Sequence, residues 1–229
     1  MASTISDRIA QVRQRIEVAA IASDREPTAI TLVAVGKTFP PEMLAAAVAA
    51  GITDLGEIRV QETAAKKPLV PTASWHLIGP LQRNKARRAL ELFDVIHTVD
   101  RPDLVQRLGY LLEEHWPGRR QPILIELNVG REPQKSGVLP EDAANLVTAA
   151  LATPHLEVMG LMAIPPQSSD PEEARRHFRI VRELRDRLQD RCGTALPELS
   201  MGMTQDFEIA IAEGATMVRI GTAIFGSRS

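Results

Sequence analysis

The chain contains the stretch ITLVAVGKTFPPEMLAAAVAAG at residues 30–51, and this stretch decides the fold. Its first part is apolar and rich in β-branched residues, which is typical of a buried strand. Two prolines then open an alanine-rich segment that ends at Gly51, as expected for a helix. The stretch therefore predicts a strand over 30–37 and a helix over 41–50.

The same succession recurs along the rest of the chain. Because each helix connects one strand to the next, the strands must lie parallel. Eight strands with seven intervening helices predict an α/β fold, a closed (β/α)8 TIM barrel. A doubly wound open sheet is the alternative, but no glycine-rich dinucleotide fingerprint follows the first strand. After the first unit, strands are predicted over 53–57, 74–78, 95–99, 122–129, 156–163, 198–201 and 216–220, and helices over 59–67, 83–92, 102–115, 140–151, 171–191 and 207–213.

An extra amphipathic helix precedes the barrel. Apolar residues recur at helical spacing from Ile5 to Ala19, with Ser3 as the expected N-cap. No linker, low-complexity tract or change of composition interrupts the chain. We therefore expect a single domain over residues 1–229, with a leading helix in 1–25 and the barrel in 30–226.

The composition excludes several classes of protein. The net charge is −2, and aromatic residues make up 3% of the chain, so neither a nucleic acid nor an anionic membrane is an expected partner. Cys192 is the only cysteine, which excludes a disulfide within the chain and fits a reducing compartment. We find no apolar run of membrane-spanning length and no signal peptide, and we therefore expect a cytoplasmic protein.

Lys37 is the most informative single residue. It ends the first predicted strand, and it is one of five lysines in a chain with 22 arginines. An ammonium can lose its proton and attack a carbonyl, whereas a guanidinium cannot. Lys37 is therefore a candidate imine-forming lysine. The alternative is a strand-end lysine that extends to water or pairs with a carboxylate.

The ends of the predicted strands identify the candidate site, because TIM barrels place their active sites there. Loops after the seventh and eighth strands carry glycines that let backbone N–H groups approach an anion, and a helix starts near Asp206. A lysine across the mouth from a phosphate site favours a phosphorylated aldehyde, with pyridoxal 5′-phosphate (PLP) as the leading candidate. The residues at these ends are Lys37, Glu57, Arg59, His76, Gly79, Asn128, Met162, Ser200, Gly202, Met203, Arg219, Gly221 and Thr222.

Two of these residues have more than one interpretation. Arg219 is placed to reach the ring nitrogen of such a cofactor; an ion pair inside the barrel and a direct phosphate contact are the alternatives. A permanently charged arginine would leave that nitrogen unprotonated and give little support to carbanion chemistry. His76 is a candidate ligand contact or a hydrogen-bonded structural histidine. The histidines show no metal-type spacing, so no metal site is predicted.

Seven segments stand in an order that resembles the pyridoxal phosphate homeostasis protein family, whose fold is similar to the N-terminal barrel of alanine racemase. The resemblance covers nearly the whole chain, and several motifs in one order are more specific than any single short pattern. The segments are VAVGK (33–37), GEIRVQE (56–62), WHLIGPLQRNK (75–85), KSG (135–137), GLM (160–162), SMGMTQDFEIAI (200–211) and VRIGTAIFG (218–226).

The resemblance implies that Lys37 carries PLP as a Schiff base and that Arg219 contacts the ring nitrogen. The family usually has Asn in a GEN motif where this chain has Ile58, so a contact from that side chain to the cofactor would be lost. No catalytic residue beyond Lys37 is predicted. Phosphate contacts are implied from Ser200, Gly202, Met203, Gly221 and Thr222, and His76 and Met162 complete the predicted cofactor site.

The first functional hypothesis is a PLP-binding protein of vitamin B6 and amino-acid homeostasis, without firm catalytic turnover. PLP enzymes that lack their cofactor are the candidate recipients, and a monomer is expected. A PLP-dependent amino-acid racemase is the alternative, but it needs a base on each face of the substrate. The only tyrosine, Tyr110, lies in the helix after the fourth strand, away from the mouth. A class I aldolase-like barrel is a third hypothesis, against which the motifs argue.

Overall fold

The structure, a computed structural model, describes residues 3–168 and 170–226. Within these ranges, eight parallel strands pair in sequence order, and the last pairs with the first to close a barrel. The predicted (β/α)8 TIM barrel is therefore confirmed. The strands are β1 (Thr31–Val35), β2 (Asp54–Glu57), β3 (Ser74–Leu77), β4 (Val95–Val99), β5 (Gln121–Leu127), β6 (Leu156–Ala163), β7 (Glu198–Ser200) and β8 (Met217–Ile220).

Helices surround the barrel and connect its strands. Short 3₁₀ turns precede or extend some of them, over Pro27–Ala29, Lys67–Leu69 and Arg83–Lys85. The helices of the described ranges are α1 (Ile5–Ile21), α2 (Pro41–Ala49), α3 (Val60–Lys66), α4 (Ala86–Leu92), α5 (Pro102–His115), α6 (Ala143–Leu151), α7 (Pro171–Cys192), α8 (Phe207–Ala212) and α9 (Thr222–Phe225).

The predicted leading helix is present as α1, but its cap differs from the prediction. Thr4 is the N-cap, and the expectation for Ser3 was wrong. Thr4 Oγ1 accepts from the Asp7 backbone N–H at 3.1 Å, and the Asp7 carboxylate accepts from the Thr4 N–H at 3.0 Å. This capping box needs an acidic residue three positions after the cap, which only Thr4 has. The helix buries Ile9 and Val12 and packs against α8 and α9.

The sixth helix begins three residues later than predicted. Val138 forms an isolated bridge with β5, and its N–H donates to the carbonyl of Glu126 at 2.8 Å. This bridge keeps the chain extended after the long loop that follows β5. A turn closed by Asp142 then leads into α6 at Ala143. Val138 pairs with Leu127, eleven residues away in sequence, so the local signals that predict helices could not reveal this bridge.

Strand residues alternate between two buried layers. Trp75 and Leu77 of β3 pack with the apolar core between the sheet and the helices. His76, between them, hydrogen-bonds inside the barrel instead. Polar residues of several strands meet there below the mouth, so the barrel interior is partly polar and well placed to support a site.

Two further observations complete the description. In the described ranges, we find no helix that combines the length and the apolar composition needed to span a bilayer. The described strands and helices run from Ile5 to Phe225. The assignment of residues 1–229 to one domain stays a prediction.

Candidate functional site

A cavity of about 600 Å³ opens where the carboxyl ends of the strands meet. Segments that follow β1, β2, β3, β6, β7 and β8 contribute to its wall. Another hollow, of about 720 Å³, lies beside Arg83 and Arg107 and is a more open depression, lined only by the segments that follow β3 and β4 and by α5. The smaller cavity is the candidate site, because it lies where TIM barrels collect functional groups. Its polar and charged lining includes Lys37, Gln205, Asp206, Arg219 and Thr222.

Lys37 enters this cavity from a strained turn. Its side chain is exposed, and its Nζ has no hydrogen bond or ion pair with the residues that the structure describes. The next residue, Thr38, has a φ of +66°. A β-branched residue in the left-handed region costs about 1–3 kcal/mol and persists only where the surroundings enforce it. The turn is closed by the Phe39 N–H, which donates to the Gly36 carbonyl at 3.1 Å. The backbone of Lys37 is thus fixed while its amine is free.

A buried ion pair supports this turn from below. Lys66 Nζ donates to Glu57 Oε1 at 2.6 Å and to the Gly36 carbonyl at 2.9 Å. Burial raises the pKa of the Glu57 carboxyl, and the hydrogen bond from Lys66 opposes that rise. Since the Gly36 carbonyl belongs to the peptide bond that leads into Lys37, Lys66 holds the base of the reactive side chain.

Arg219 faces the cavity from β8 and is firmly held. The residue is 3% exposed. Its Nη1 donates to the carbonyl of Ser200 at 2.6 Å and to the Ser200 hydroxyl at 2.7 Å, and its Nη2 donates to the carbonyl of Ala163 at 2.9 Å. Burial lowers the pKa of Arg219 to about 10, against the influence of Glu126 and Asp206. The guanidinium therefore stays charged at neutral pH.

The loop after β7 combines a special glycine with a carboxylate. Gly202 has a φ of +92°, and a Cβ at this position would lie 2.6 Å from the Cβ of Ala210, so only glycine fits there. The Met203 N–H donates to the Asp206 carboxylate at 2.6 Å. Burial raises the pKa of Asp206, while that backbone donor opposes the rise. An anion that approaches the Met203 N–H must compete with Asp206.

Beneath the cavity, two histidines connect the seventh strand to the second. Ser200 Oγ lies 2.9 Å from His97 Nδ1, and His97 Nε2 lies 2.8 Å from His76 Nδ1. His76 Nε2 lies 2.9 Å from Asp54 Oδ1. Burial lowers the pKa of His97 well below its ordinary value, and the neighbouring His76 and Arg219 lower it further.

Glu126 is a second buried carboxylate near Arg219. Its Oε2 has no hydrogen-bond partner in the described part of the chain. Burial raises the pKa of Glu126 to about 7, Asp100 raises it as well, and Arg219 lowers it. This carboxyl group is thus more readily protonated than an exposed glutamate.

The structure brings together only part of the predicted site. Ile58 also lines the cavity, where the family's Asn would stand. His76 and Met162 are buried in the barrel, and the Ser200 side chain is engaged with Arg219 and His97. Of the predicted residues, Lys37, Met203, Arg219, Gly221 and Thr222 line the cavity, whereas Ser200, Gly202, His76 and Met162 do not.

Three groups escaped the sequence-based prediction. His97, Glu126 and Lys66 were not assigned a role in the site, and Glu57 was named only as a residue at a strand end. A signal existed for two of them, since His97 and Glu126 each interrupt an otherwise apolar predicted strand. A polar residue inside such a strand must find a buried partner. No sequence signal identifies Lys66, because one of its two acceptors, the Gly36 carbonyl, follows β1 and lies 30 residues away.

In the described ranges we find no cluster of three or more His, Cys, Asp or Glu side chains able to hold a metal ion. The charged groups of the cavity are an amine, a guanidinium and a carboxylate. The amine and the guanidinium are donors that suit an organic anion with an electrophilic carbon.

Comparisons with known proteins identify relatives of this chain. The family described as the alanine racemase N-terminal domain matches residues 9–229. A pyridoxal phosphate homeostasis protein of Pseudomonas aeruginosa is 44% identical over 230 residues, which covers 99% of this chain and 96% of that protein. The solved structure of PipY from Synechococcus elongatus, with PLP bound, is 35% identical with a TM-score of 0.85, and the match covers 97% of this chain and 100% of PipY.

Alanine racemase itself is a more distant likeness. The enzyme from Corynebacterium glutamicum has a TM-score of 0.72 at 17% identity. The match covers 97% of this chain but 61% of the racemase. This likeness concerns the fold alone.

Proposed function

The chain belongs to the pyridoxal phosphate homeostasis proteins within the alanine racemase N-terminal family, and from that membership we propose that it binds PLP on Lys37 and holds it for other proteins. One observation carries the proposal: the Lys37 amine, the Arg219 guanidinium and the Gly221–Thr222 turn share one cavity. An amine beside an anion site suits a ligand with an aldehyde and a phosphate. The neighbouring PipY structure, which has PLP bound, supports this choice of ligand.

Each residue of the cavity has a distinct part in the proposal. When bound, PLP supplies an aldehyde that condenses with an amine and a pyridine ring that withdraws electrons once its nitrogen is protonated. Lys37 provides the amine. In the described part of the chain, this amine has no hydrogen bond or ion pair that must break before it reacts. Thr222 and the backbone of Gly221 provide donors for the phosphate. Arg219 donates a hydrogen bond to the ring nitrogen and cannot give up its proton there.

The loop after β7 provides the second side of the phosphate site. Gly202 allows the tight turn. The Met203 N–H is a candidate donor to the phosphate, and it already donates to the Asp206 carboxylate. Because burial raises the pKa of Asp206, its carboxylate is more readily protonated or displaced than an exposed one. Ser200 acts here by accepting from Arg219 through its carbonyl and its hydroxyl, rather than by contacting the phosphate.

Storage, rather than turnover, is the proposed outcome of binding. Arg219 leaves the ring nitrogen unprotonated, so carbanion chemistry receives little support. A racemase also needs a second base, and Tyr110 is 57% exposed on α5, with its ring beneath the guanidinium of Arg107. We therefore propose a protein that holds PLP without catalysing an amino-acid reaction. PLP enzymes that lack their cofactor are the proposed recipients.

Absorbance spectroscopy tests the proposal. The wild type loaded with PLP should show a visible absorption band that borohydride abolishes. Lys37→Ala should lose the band, and Lys85→Ala, a lysine outside the cavity, should keep it. A wild type that takes up no PLP, or a Lys37→Ala variant that keeps the band, would contradict PLP binding on Lys37.

A product assay then tests the absence of turnover. We expect no D-alanine from L-alanine above the rate of free PLP. If the loaded wild type forms D-alanine and Lys37→Ala does not, the racemase alternative replaces the carrier. Transfer is tested by mixing the loaded protein with an apo PLP enzyme, whose activity should return.

A further inference from the structure

A continuous chain of hydrogen bonds crosses the barrel interior from the cavity to its opposite face. It runs from Arg219 through Ser200, His97 and His76 to Asp54, with donor–acceptor distances of 2.7, 2.9, 2.8 and 2.9 Å. β4 and β7 are not neighbours in the sheet, so the contact of His97 with Ser200 spans the interior. Asp54 is the first residue of β2 and lines a hollow beside Arg13 on the far face.

The chemistry of the two ends fixes the direction of the first and last bonds, and a neutral His76 fixes the two bonds between them. Arg219 can only donate, and an ionised Asp54 can only accept. Burial raises the pKa of Asp54, but its hydrogen bonds with His76 and Thr53 outweigh this and leave the pKa below its ordinary value. His76 therefore carries its proton on Nε2 and presents a bare Nδ1 to His97.

The same reasoning continues toward the cavity. His97 donates through its Nε2–H to His76, so its Nδ1 must accept. The only donor that faces His97 Nδ1 in the described part of the chain is the Ser200 hydroxyl. Ser200 Oγ in turn accepts from Arg219 Nη1. With a second proton on His76, the bond between His76 and His97 and the bond between His97 and Ser200 would both reverse. The Ser200 hydroxyl would then lose its acceptor. The neutral arrangement satisfies every member of the chain.

We propose that His97 and His76 are positioning residues that orient Arg219 toward the ring nitrogen of bound PLP, through a chain anchored at Asp54. This rests on the proposed function for the ligand but concerns residues outside the cavity. Both Nη1–H groups of Arg219 donate to Ser200, one to its carbonyl and one to its hydroxyl, and Nη2 donates to the carbonyl of Ala163. The Nε–H and one Nη2–H remain for a ligand. A fully satisfied buried network of this kind restricts its members to one arrangement.

Removal of a link should weaken the ring end of the site and leave the phosphate end intact. In His97→Leu, the Ser200 hydroxyl loses its acceptor and can turn, so Arg219 loses one of its three fixed acceptors and keeps the carbonyls of Ser200 and Ala163. Hydrogen bonds to charged groups are strong enough that we expect PLP affinity to fall about tenfold. The affinity for inorganic phosphate alone should change less than about twofold, because the turns after β7 and β8 keep their contacts.

A remote variant tests the same chain without touching the cavity. Asp54 has a side chain that is 21% exposed, so its replacement disturbs packing less than that of His97. Asp54→Leu leaves the His76 Nε2–H without an acceptor, and we expect PLP affinity to fall about threefold. Asp54→Asn keeps an acceptor oxygen and should stay within about twofold of the wild type. The absorption maximum of bound PLP should shift in the leucine variant and not in the asparagine variant.

Two results of these titrations would overturn the positioning role. One is unchanged PLP affinity in folded His97→Leu and Asp54→Leu. The other is an equal loss of affinity for PLP and for phosphate, which would indicate general damage to the site. His155→Gln, at a histidine that pairs with Glu113 on the surface, is the matched control and should resemble the wild type.

Nuclear magnetic resonance of the protein without PLP tests the chain by itself. In a sample labelled with ¹⁵N-histidine, we expect His76 and His97 both to carry their proton on Nε2. A proton on Nδ1 of either ring would contradict the direction of the chain. This measurement needs no ligand. A wild type that binds no PLP would contradict both the proposed function and the positioning role. The tautomers would still show whether the hydrogen bonds between Ser200 and Asp54 run in the proposed direction.

Discussion

Lys37 and Lys66 are two lysines that meet at one peptide bond and have opposite surroundings. Lys66 is 8% exposed, forms an ion pair with Glu57 and donates to the Gly36 carbonyl. Lys37 follows that carbonyl directly, is exposed and keeps an amine without a partner in the described ranges. The comparison shows how one residue type serves two purposes. A lysine with its donors engaged in a buried pair fixes the backbone, and a lysine on that fixed backbone remains available for reaction.

The largest expected difference between the two lysines is in stability. Lys66→Met leaves the Glu57 carboxylate buried without its partner, which should cost about 3–5 kcal/mol of the free energy of unfolding. Lys37→Met removes an exposed side chain and should change that free energy by less than about 0.5 kcal/mol. Urea unfolding of the protein without PLP measures both. Equal losses in the two variants would contradict the comparison.

A double variant sharpens this result. Lys66→Met combined with Glu57→Leu removes both charges and leaves no unpaired one in the core. It should therefore be more stable than Lys66→Met alone. If the double variant is as unstable as the single one, the loss comes from packing around α3 rather than from the charge.

Two buried carboxylates extend the comparison. Glu57 has a cation in direct contact, and Glu126 has none among the residues that the structure describes. The pKa of Glu126 is about 7 in the folded protein against an ordinary value of 4.5. The folded state therefore binds more protons than the unfolded state between these values, and this group removes stability as the pH rises through that window. Below pH 4.5 it has no such effect.

Glu126→Gln should abolish this dependence. We expect the variant to exceed the wild type by up to about 3 kcal/mol in free energy of unfolding at pH 8, since each pKa unit corresponds to about 1.4 kcal/mol. At pH 4.5 the two should be nearly equal. Glu17→Gln, at an exposed position on α1, controls for the loss of a charge. A constant difference between pH 4.5 and 8 would rule out the titration of Glu126 as its cause.

The smallest expected effect concerns Ile58, which lines the cavity close to the loop of Lys37. Ile58→Asn adds a donor and an acceptor to the wall, and a single hydrogen bond should raise PLP affinity about three- to tenfold. Ile58→Val keeps an apolar wall and should leave the affinity unchanged. An equal change in both variants would show that shape, rather than hydrogen bonding, matters at this position.

Much of this architecture could be predicted from the sequence, for reasons that differ between its parts. The eight-fold alternation is a local pattern of apolar runs and helix boundaries, and it predicted the barrel correctly. Lys37 followed from its position at a strand end and its rarity among the cations. Boundaries such as the start of α6 were wrong, because the bridge of Val138 to β5 is a non-local contact.

The interior of the site was harder to predict, because it depends on which side chains meet across the barrel. His97 and Ser200 are more than 100 residues apart, and no spacing rule connects them. From the sequence, His76 is either a ligand contact or a hydrogen-bonded structural histidine, and in the structure both of its ring nitrogens are engaged inside the barrel. The roles of Ser200, Gly202, His76 and Met162 in cofactor binding stay predictions.

Mass spectrometry of the borohydride-reduced protein tests the central claim most directly. After loading with PLP, reduction and proteolysis, the mass of the reduced PLP adduct should be found on the peptide that contains Lys37. The peptides that contain Lys66, Lys67, Lys85 and Lys135 should be unmodified. An adduct on one of those four lysines in place of Lys37, or no adduct on any lysine, would contradict the account.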